Sequence, residues 1–103
     1  DTYQQAYNTW QQSILQAGSE VSNALVQYNS SEEKSQIEAK QIEVLKKNVE
    51  DTRALMASAG STYLEVITAE SNLLNVQLSK VSDDLAKMQA VVSLYEALGG
   101  GTY

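Results

Sequence analysis

Apolar residues recur in a seven-residue register through the first half of the chain. From Tyr3 to Met56, two positions in every seven form one stripe, a spacing typical of a helix that packs in a coiled coil. The pattern predicts one long helix over about residues 3–57. One position of the stripe is occupied by Tyr7, Ile14, Val21, Tyr28, Ser35, Ile42, Val49 and Met56, and the other by Tyr3, Trp10, Ala17, Ala24, Ser31, Glu38, Leu45 and Thr52.

Polar residues interrupt this stripe in its middle. Ser31, Ser35 and Glu38 stand where a buried seam favours aliphatic side chains, so the helix packing is expected to loosen there. A helix-capping pattern leaves a break between two helices at residues 29–31 as an alternative. The segment that follows is rich in good helix formers, and this composition favours one continuous helix.

A second apolar pattern with the same three-four alternation begins after the small residues near position 60. It predicts a second helix over about residues 62–98, antiparallel to the first. A shorter apolar row lies beside the main one, so two neighbouring helices are expected to pack on this helix. The main row comprises Leu64, Ile67, Ser71, Leu74, Leu78, Val81, Leu85, Met88, Val92 and Tyr95, and the shorter row comprises Val66, Ala69, Leu73 and Val76.

Antiparallel pairing about the turn predicts which residues of the two helices face one another. Val49 is expected to face Ser71, and Ile42 to face Leu78. The second helix then ends before it reaches residues 3–21, whose aromatic stripe needs a partner from elsewhere or a fold-back into a three-helix bundle. The residues expected to form a helix-packing or oligomer seam are Trp10, Ile14, Val21, Leu64, Ile67, Leu73, Leu74 and Val76.

The segment between the two patterns has the properties of a turn between helices. Gly60 can adopt the left-handed conformation that ends a helix, and Thr62 with Glu65 forms a capping-box pattern at the start of the next helix. The small side chains fit two interpretations, a simple turn or a surface that another protein's backbone can approach closely. The segment comprises Ala57, Ser58, Ala59, Gly60, Ser61 and Thr62.

Composition agrees with an all-α fold. The 103 residues include no proline, cysteine, histidine or phenylalanine, and a chain without proline has little to interrupt a helix. We therefore predict a long antiparallel helical hairpin with coiled-coil packing over residues 1–98, followed by a glycine-rich tail over residues 99–103. No apolar run approaches the length of a membrane-spanning helix, and no signal-like leader starts the chain.

The candidate chemistry of the chain is sparse. Without histidine or cysteine, most catalytic and metal-binding arrangements are unavailable. Neighbouring acids such as Asp83 and Asp84 point apart on a helix and are expected to be solvated. We predict that the chain is not an enzyme and holds no cofactor or metal. Its net charge of −6, with scattered basic residues, argues against nucleic acid as a partner.

Three sequence motifs resemble the TolC-like outer-membrane efflux family. The motif EVSNAL lies at residues 20–25, TYLEVITAESNLL at residues 62–74, and VSLYEALGGG at residues 92–101. Their order and separation are also similar to the C-terminal part of that family. The tip departs from the family pattern, because Ser58 and Ala59 stand where a basic or aromatic residue is frequent.

The resemblance implies a place in a larger assembly. Family members form trimers that build an outer-membrane channel continued by a periplasmic tunnel of helices, and each chain has two similar halves. This chain is similar to the last helical hairpin of the second half. It is therefore expected to be a fragment of a channel subunit, located in the periplasm and reaching the membrane only through other parts of the parent.

The resemblance also implies partners for the tip. In the family, the turns between helices form the tunnel mouth, where a periplasmic adaptor docks and links the channel to an inner-membrane pump. Residues 57–62 are the matching segment of this chain. The alternative is a stand-alone coiled-coil module that serves self-association or scaffolding.

Overall fold

The computed structural model describes residues 1–99, which form two α-helices. Helix α1 spans Thr2–Ala57 and helix α2 spans Tyr63–Ala97. Both helices lie close to their predicted bounds, and no strand occurs in the described residues. The all-α hairpin is therefore confirmed. The alternative break at residues 29–31 is wrong, because α1 is one helix of 56 residues.

Helix α2 ends at Ala97, two residues before the first glycine of the tail. Gly99 has a φ of 120° and donates its backbone N–H to the Glu96 carbonyl at 3.3 Å. Glycine adopts such a φ at no steric cost, which makes this position suitable for ending a helix. The remainder of the predicted tail, residues 100–103, lies outside the described residues.

The chain divides into two compact units, and each contains a segment of both helices. The hairpin unit is Glu32–Leu85, which includes the turn between α1 and α2. Within the described residues, the terminal unit combines Asp1–Ser31 with residues 86–99. Among residues 1–99, neither helix contains a stretch apolar enough to span a membrane.

In the hairpin unit, the predicted stripe of α1 packs against α2. Val49 is 7% exposed, and Ile42 and Leu45 are half-buried. The α2 residues that meet this stripe form a row, here called the inner row, in which Val66 is 7% exposed and Ala69 is 4% exposed. The other inner-row residues of this unit are half-buried: Leu73, Val76, Lys80 and Asp83.

The main apolar row predicted for α2 does not face α1. Leu64, Leu78 and Val81 are 70%, 59% and 64% exposed, so the predicted pairing of Ile42 with Leu78 is wrong. The two rows are offset by two residues, which is about 200° of rotation on an α-helix. Only one row can therefore face α1, and the inner row offers the small Ala69 for close packing.

We call the exposed row of α2 the outer row. Its members share exposure to solvent and the three-four spacing of a coiled-coil seam. The row continues along α2 into the terminal unit, where its members are also exposed. It comprises Leu64, Ile67, Ser71, Leu74, Leu78, Val81 and Leu85 in the hairpin unit, and Met88, Val92 and Tyr95 in the terminal unit.

The polar middle of the α1 stripe is packed rather than loose. Ser35 is 5% exposed, and its hydroxyl donates a hydrogen bond to Asp84 Oδ1 at 2.6 Å. Serine is small enough to let two helices approach, and this bond satisfies its buried hydroxyl. The expected loosening therefore does not occur at this position.

The terminal unit has a small packed region and an exposed aromatic segment. Ala24 and Ala90 are 4% and 1% exposed, and the Gln27 amide donates a hydrogen bond to the Ala86 carbonyl at 3.0 Å. Near the N-terminus, Tyr7 and Trp10 are more than half exposed, with ring centroids 6.1 Å apart. The described residues contain two helices, so the aromatic segment is not covered by a three-helix fold-back.

Candidate functional site

The tip begins where two backbone hydrogen bonds close the end of α1. The Gly60 N–H donates to the Leu55 carbonyl at 2.6 Å, and the Ala59 N–H donates to the Met56 carbonyl at 3.0 Å. This pair of bonds is the Schellman motif, which satisfies carbonyls that the helix end would otherwise leave unpaired. The tip is therefore a defined helix cap.

The left-handed residue of this cap is Ala59 and not Gly60. Ala59 has a φ of 63°, whereas the φ of Gly60 is not positive. The prediction for Gly60 was wrong by one position. The glycine has another reason to be there, because a Cβ at Gly60 would lie 3.3 Å from both the Leu55 carbonyl oxygen and Leu55 Cδ2. It permits a close approach to the last turn of α1.

Helix α2 begins with the predicted capping box. The Glu65 N–H donates to Thr62 Oγ1 at 3.2 Å, and the Thr62 N–H donates to Glu65 Oε2 at 3.3 Å. Ser61 links the turn to α1, because its hydroxyl donates to the Thr52 carbonyl at 2.9 Å. These reciprocal bonds satisfy exposed backbone donors at the helix start and fix the turn from both sides.

The surface of the tip consists of small, uncharged groups. Of the segment from Ala57 to Thr62, only Ser61 is half-buried and the rest is exposed. The nearest ion pair is on the flank, where Arg53 Nε donates to Glu70 Oε1 at 3.0 Å. Such a surface allows a partner's backbone to come close without displacing long side chains. Docking of an adaptor at these residues stays a prediction.

The predicted seam residues fall into two groups in the structure. Val21, Leu73 and Val76 are half-buried within their own units. The others are exposed in the single chain: Trp10, Ile14, Leu64, Ile67 and Leu74. Their role in assembly stays a prediction, and their exposure leaves them available for it.

Helix α1 also has exposed apolar side chains in the hairpin unit. Ile37 and Val44 are 56% and 69% exposed. They line an apolar groove of about 440 Å³ together with Leu45 and Val76. The hairpin unit therefore presents this groove in addition to the outer row of α2.

Sequence reasoning missed a cluster of charged groups between the helices. Asp83 and Asp84 are half-buried, although they were expected to be solvated. Asp84 Oδ2 pairs with Lys80 Nζ at 2.8 Å, and Asp84 Oδ1 accepts a hydrogen bond from Ser35 Oγ at 2.6 Å. The missed signal is the true register, in which position 35 of α1 meets position 84 of α2. No group of three potential metal ligands occurs in the described residues.

Known proteins resemble this chain over almost its full length. The cation efflux system protein CusC of Escherichia coli strain K12 is 31% identical over 98 residues, which cover 95% of this chain and 21% of CusC. The probable outer membrane lipoprotein SilC of Salmonella typhimurium is 28% identical over 98 residues, which cover 95% of this chain and 21% of SilC. The chain thus spans about a fifth of the length of these curated relatives.

Two further comparisons gave no match. No family model matches the chain, and no solved structure matches it significantly. The relationship therefore depends on the alignments to CusC and SilC.

The fold and these alignments together identify the class of protein. An antiparallel pair of long helices with a capped turn is a coiled-coil hairpin. The chain is homologous to a segment of the cation efflux system protein CusC and of the probable outer membrane lipoprotein SilC, which confirms the resemblance indicated by its motifs.

The geometry of the cap predicts opposite effects for two neighbouring substitutions. Ala59→Gly should raise the free energy of unfolding by roughly 0.5–1 kcal/mol, because glycine relieves the left-handed strain at an entropic cost. Gly60→Val should lower it by about 1 kcal/mol, because the new side chain crowds Leu55.

Thermal and urea unfolding followed by circular dichroism would measure both changes. Gly18→Val is the matched control, because it makes the same replacement on α1 at an exposed position where a new Cβ would meet no atom within 4 Å. A destabilising Ala59→Gly combined with a neutral Gly60→Val would contradict the assignment of the left-handed position.

Proposed function

We propose that this chain is a helical hairpin of an outer-membrane efflux channel subunit and forms part of the channel's periplasmic tunnel. The observation that supports this most strongly is the pair of apolar rows on α2. The inner row packs on α1, whereas the outer row is exposed. Homology to CusC and SilC over 95% of the chain supports the same assignment.

The two rows favour a tunnel wall over a closed bundle. A helix with one apolar stripe buries it in a single core, which its neighbours surround. Rows on opposite faces instead require one neighbour on each side of the helix. Repeated around a ring, this arrangement gives a curved layer of helices in which no helix lies at the centre.

The outer row needs a partner that this chain does not supply. Side chains such as Leu74 and Leu78 are 54% and 59% exposed, and a long apolar row in water favours association. In the channel, the partner would be a helix of a neighbouring hairpin in the trimer. The groove beside Ile37 and Val44 is a complementary apolar surface on α1.

We further propose that the tip docks a periplasmic adaptor, and through it an inner-membrane pump. The small exposed residues from Ala57 to Thr62 would let an adaptor's backbone approach end to end. The Schellman motif and the capping box hold this surface in one shape, which lowers the entropic cost of docking.

A stand-alone coiled-coil module for self-association is the second candidate. The exposed outer row favours it as well, because it would also be covered in a homo-oligomer. The alignment to efflux proteins over nearly the whole chain favours the channel hairpin instead.

Disrupting the outer row tests the association step. Leu78→Glu should weaken self-association of the chain in analytical ultracentrifugation by at least about tenfold, because a charge in an apolar seam must be desolvated. Ser79→Glu is the matched control, since it adds the same charge at the adjacent exposed position outside both rows. Equal effects of the two substitutions would contradict a role for the outer row.

A bulky side chain at the tip tests adaptor docking. In the whole channel subunit, Ala59→Trp should block adaptor binding and efflux-dependent resistance by steric conflict, while the channel's abundance is unchanged. Ala59→Asn is the control, because asparagine is small and tolerates the left-handed conformation. Full resistance with Ala59→Trp at normal channel abundance would contradict the proposal that the adaptor docks at this tip.

A further inference from the structure

Helix α2 has two different sides at the level of the buried Ser35 of α1. The outer-row residues at this level are all apolar and exposed: Leu78, Val81 and Leu85. The residues on the inner side are charged and half-buried: Lys80, Asp83 and Asp84. Burial of apolar area favours packing of the outer row on α1, yet α1 packs on the charged side. A polar interaction therefore outweighs the hydrophobic preference at this level.

This polar interaction is centred on Asp84. Its Oδ1 accepts a hydrogen bond from the Ser35 hydroxyl at 2.6 Å, and its Oδ2 pairs with Lys80 Nζ at 2.8 Å. Ser35 is 5% exposed, so Asp84 replaces the water that would otherwise satisfy the hydroxyl. A hydrogen bond to an ionised acceptor is stronger than one between neutral groups. The bond across the two helices requires the inner side of α2 to face α1.

Turning α2 about its own axis would break this bond. The two rows are offset by two residues, which is about 200° of rotation, so packing the outer row on α1 would carry Asp84 away from Ser35. The Ser35 hydroxyl would then lie against the methyl groups of Leu85. A buried hydroxyl beside an apolar side chain loses its hydrogen bond without regaining one from water. The bond therefore favours one orientation of α2 over the other.

We propose that Ser35 and Asp84 are positioning residues that select the inner row as the face of α2 that packs on α1. This selection keeps the more hydrophobic outer row exposed and available to another helix. Without the bond, the hairpin would turn its outer row inward and cover its own association surface. That last consequence rests on the proposed function, whereas the selection itself does not.

Close packing near the turn is the competing explanation for the orientation of α2. Ala69 is 4% exposed, and its small side chain lets the helices approach there. It lies about 22 Å along α2 from Asp84, at a rise of 1.5 Å per residue. The two explanations differ in what they predict when Ser35 is replaced, because that change leaves the packing of Ala69 intact.

Replacing Ser35 by leucine tests the selection. Ser35→Leu removes the hydroxyl donor and places an apolar side chain opposite Asp84, whereas in the turned arrangement the same side chain would meet Leu85. The chain has no native cysteine, so Leu78→Cys reports on the outer row and Ala69→Cys on the inner row. Maleimide labelling is measured at a concentration at which ultracentrifugation shows a monomer, and circular dichroism confirms the helix content.

The two reporters should change in opposite directions. In Ser35→Leu, the outer-row cysteine should react at least about tenfold more slowly and the inner-row cysteine at least about tenfold faster, because a packed thiol reacts only when the packing opens. Unchanged rates at both positions would overturn the proposal and assign the orientation to Ala69. Faster labelling at both positions would also overturn it, because the bond would then hold the helices together without selecting a face.

Ser35→Ala is the second variant, because it removes the hydroxyl without adding volume and cannot disturb the helix by crowding. It should change the two rates in the same opposite directions by a smaller factor. Asp84→Asn retains a side-chain oxygen that accepts from Ser35, so it should keep the wild-type rates. A change in Asp84→Asn as large as that in Ser35→Leu would count against the hydrogen bond as the selecting contact.

Ser30→Leu is the matched control, because it makes the same replacement at an exposed position of α1 outside the stripe. It should leave both labelling rates unchanged. Equal changes in Ser30→Leu and Ser35→Leu would refute the proposal, since added hydrophobicity on α1 would then be sufficient to turn α2.

Self-association distinguishes this proposal from the proposed function. If the outer row is the association surface, Ser35→Leu should also weaken self-association in ultracentrifugation, although no outer-row residue is changed. Association of wild-type strength, combined with a protected cysteine at position 78, would count against the role of the outer row in assembly. The same result would support the selection, because the labelling rates measure it independently.

Discussion

The opposite placement of two apolar rows on α2 is the constraint on which the rest of the structure depends. The inner row fixes α2 against the α1 stripe, with Ala69 and Val66 almost fully covered. The outer row points away from α1 because two residues correspond to about 200° of helix rotation. Burying either row on α1 necessarily exposes the other, so a single chain cannot cover both.

The turn between the helices serves the same arrangement. Its Schellman motif and capping box end one helix and start the next without long side chains. The left-handed Ala59 carries a steric cost of about 1–2 kcal/mol, which the bonds to Leu55 and Met56 offset. The result is a compact, uncharged end to the hairpin, and this is the surface that we propose for adaptor docking.

The sequence alone was sufficient for the helices, the α1 stripe and the capping box. It was insufficient for the facing row of α2, because Leu74 and Leu78 are more hydrophobic than Ala69 and Lys80. Hydrophobicity alone therefore selects the wrong row of α2 as the one that faces α1. Close approach by small residues and the polar pairing of Ser35 with Asp84 determine the packing, and both depend on three-dimensional register.

The candidate site was also only partly predictable from the sequence. The position of the tip and the start of α2 followed from local turn chemistry, which a sequence displays directly. The identity of the left-handed residue did not follow from it. Glycine stands at position 60 because a Cβ there would crowd Leu55, and not because the backbone needs a positive φ. The contact between Ser35 and Asp84 was also hidden, because each residue has an ordinary helical neighbourhood in sequence.

Cysteine labelling would test the central claim about α2 most directly. The chain has no native cysteine, so single replacements report on one position each. Ala69→Cys in the inner row should react slowly with a maleimide both in the isolated chain and in the channel trimer that we propose. Leu78→Cys in the outer row should react rapidly in the isolated chain and slowly in the trimer. Equally rapid labelling of Leu78→Cys in both states would contradict the account, because the outer row would then have no neighbour in the assembly.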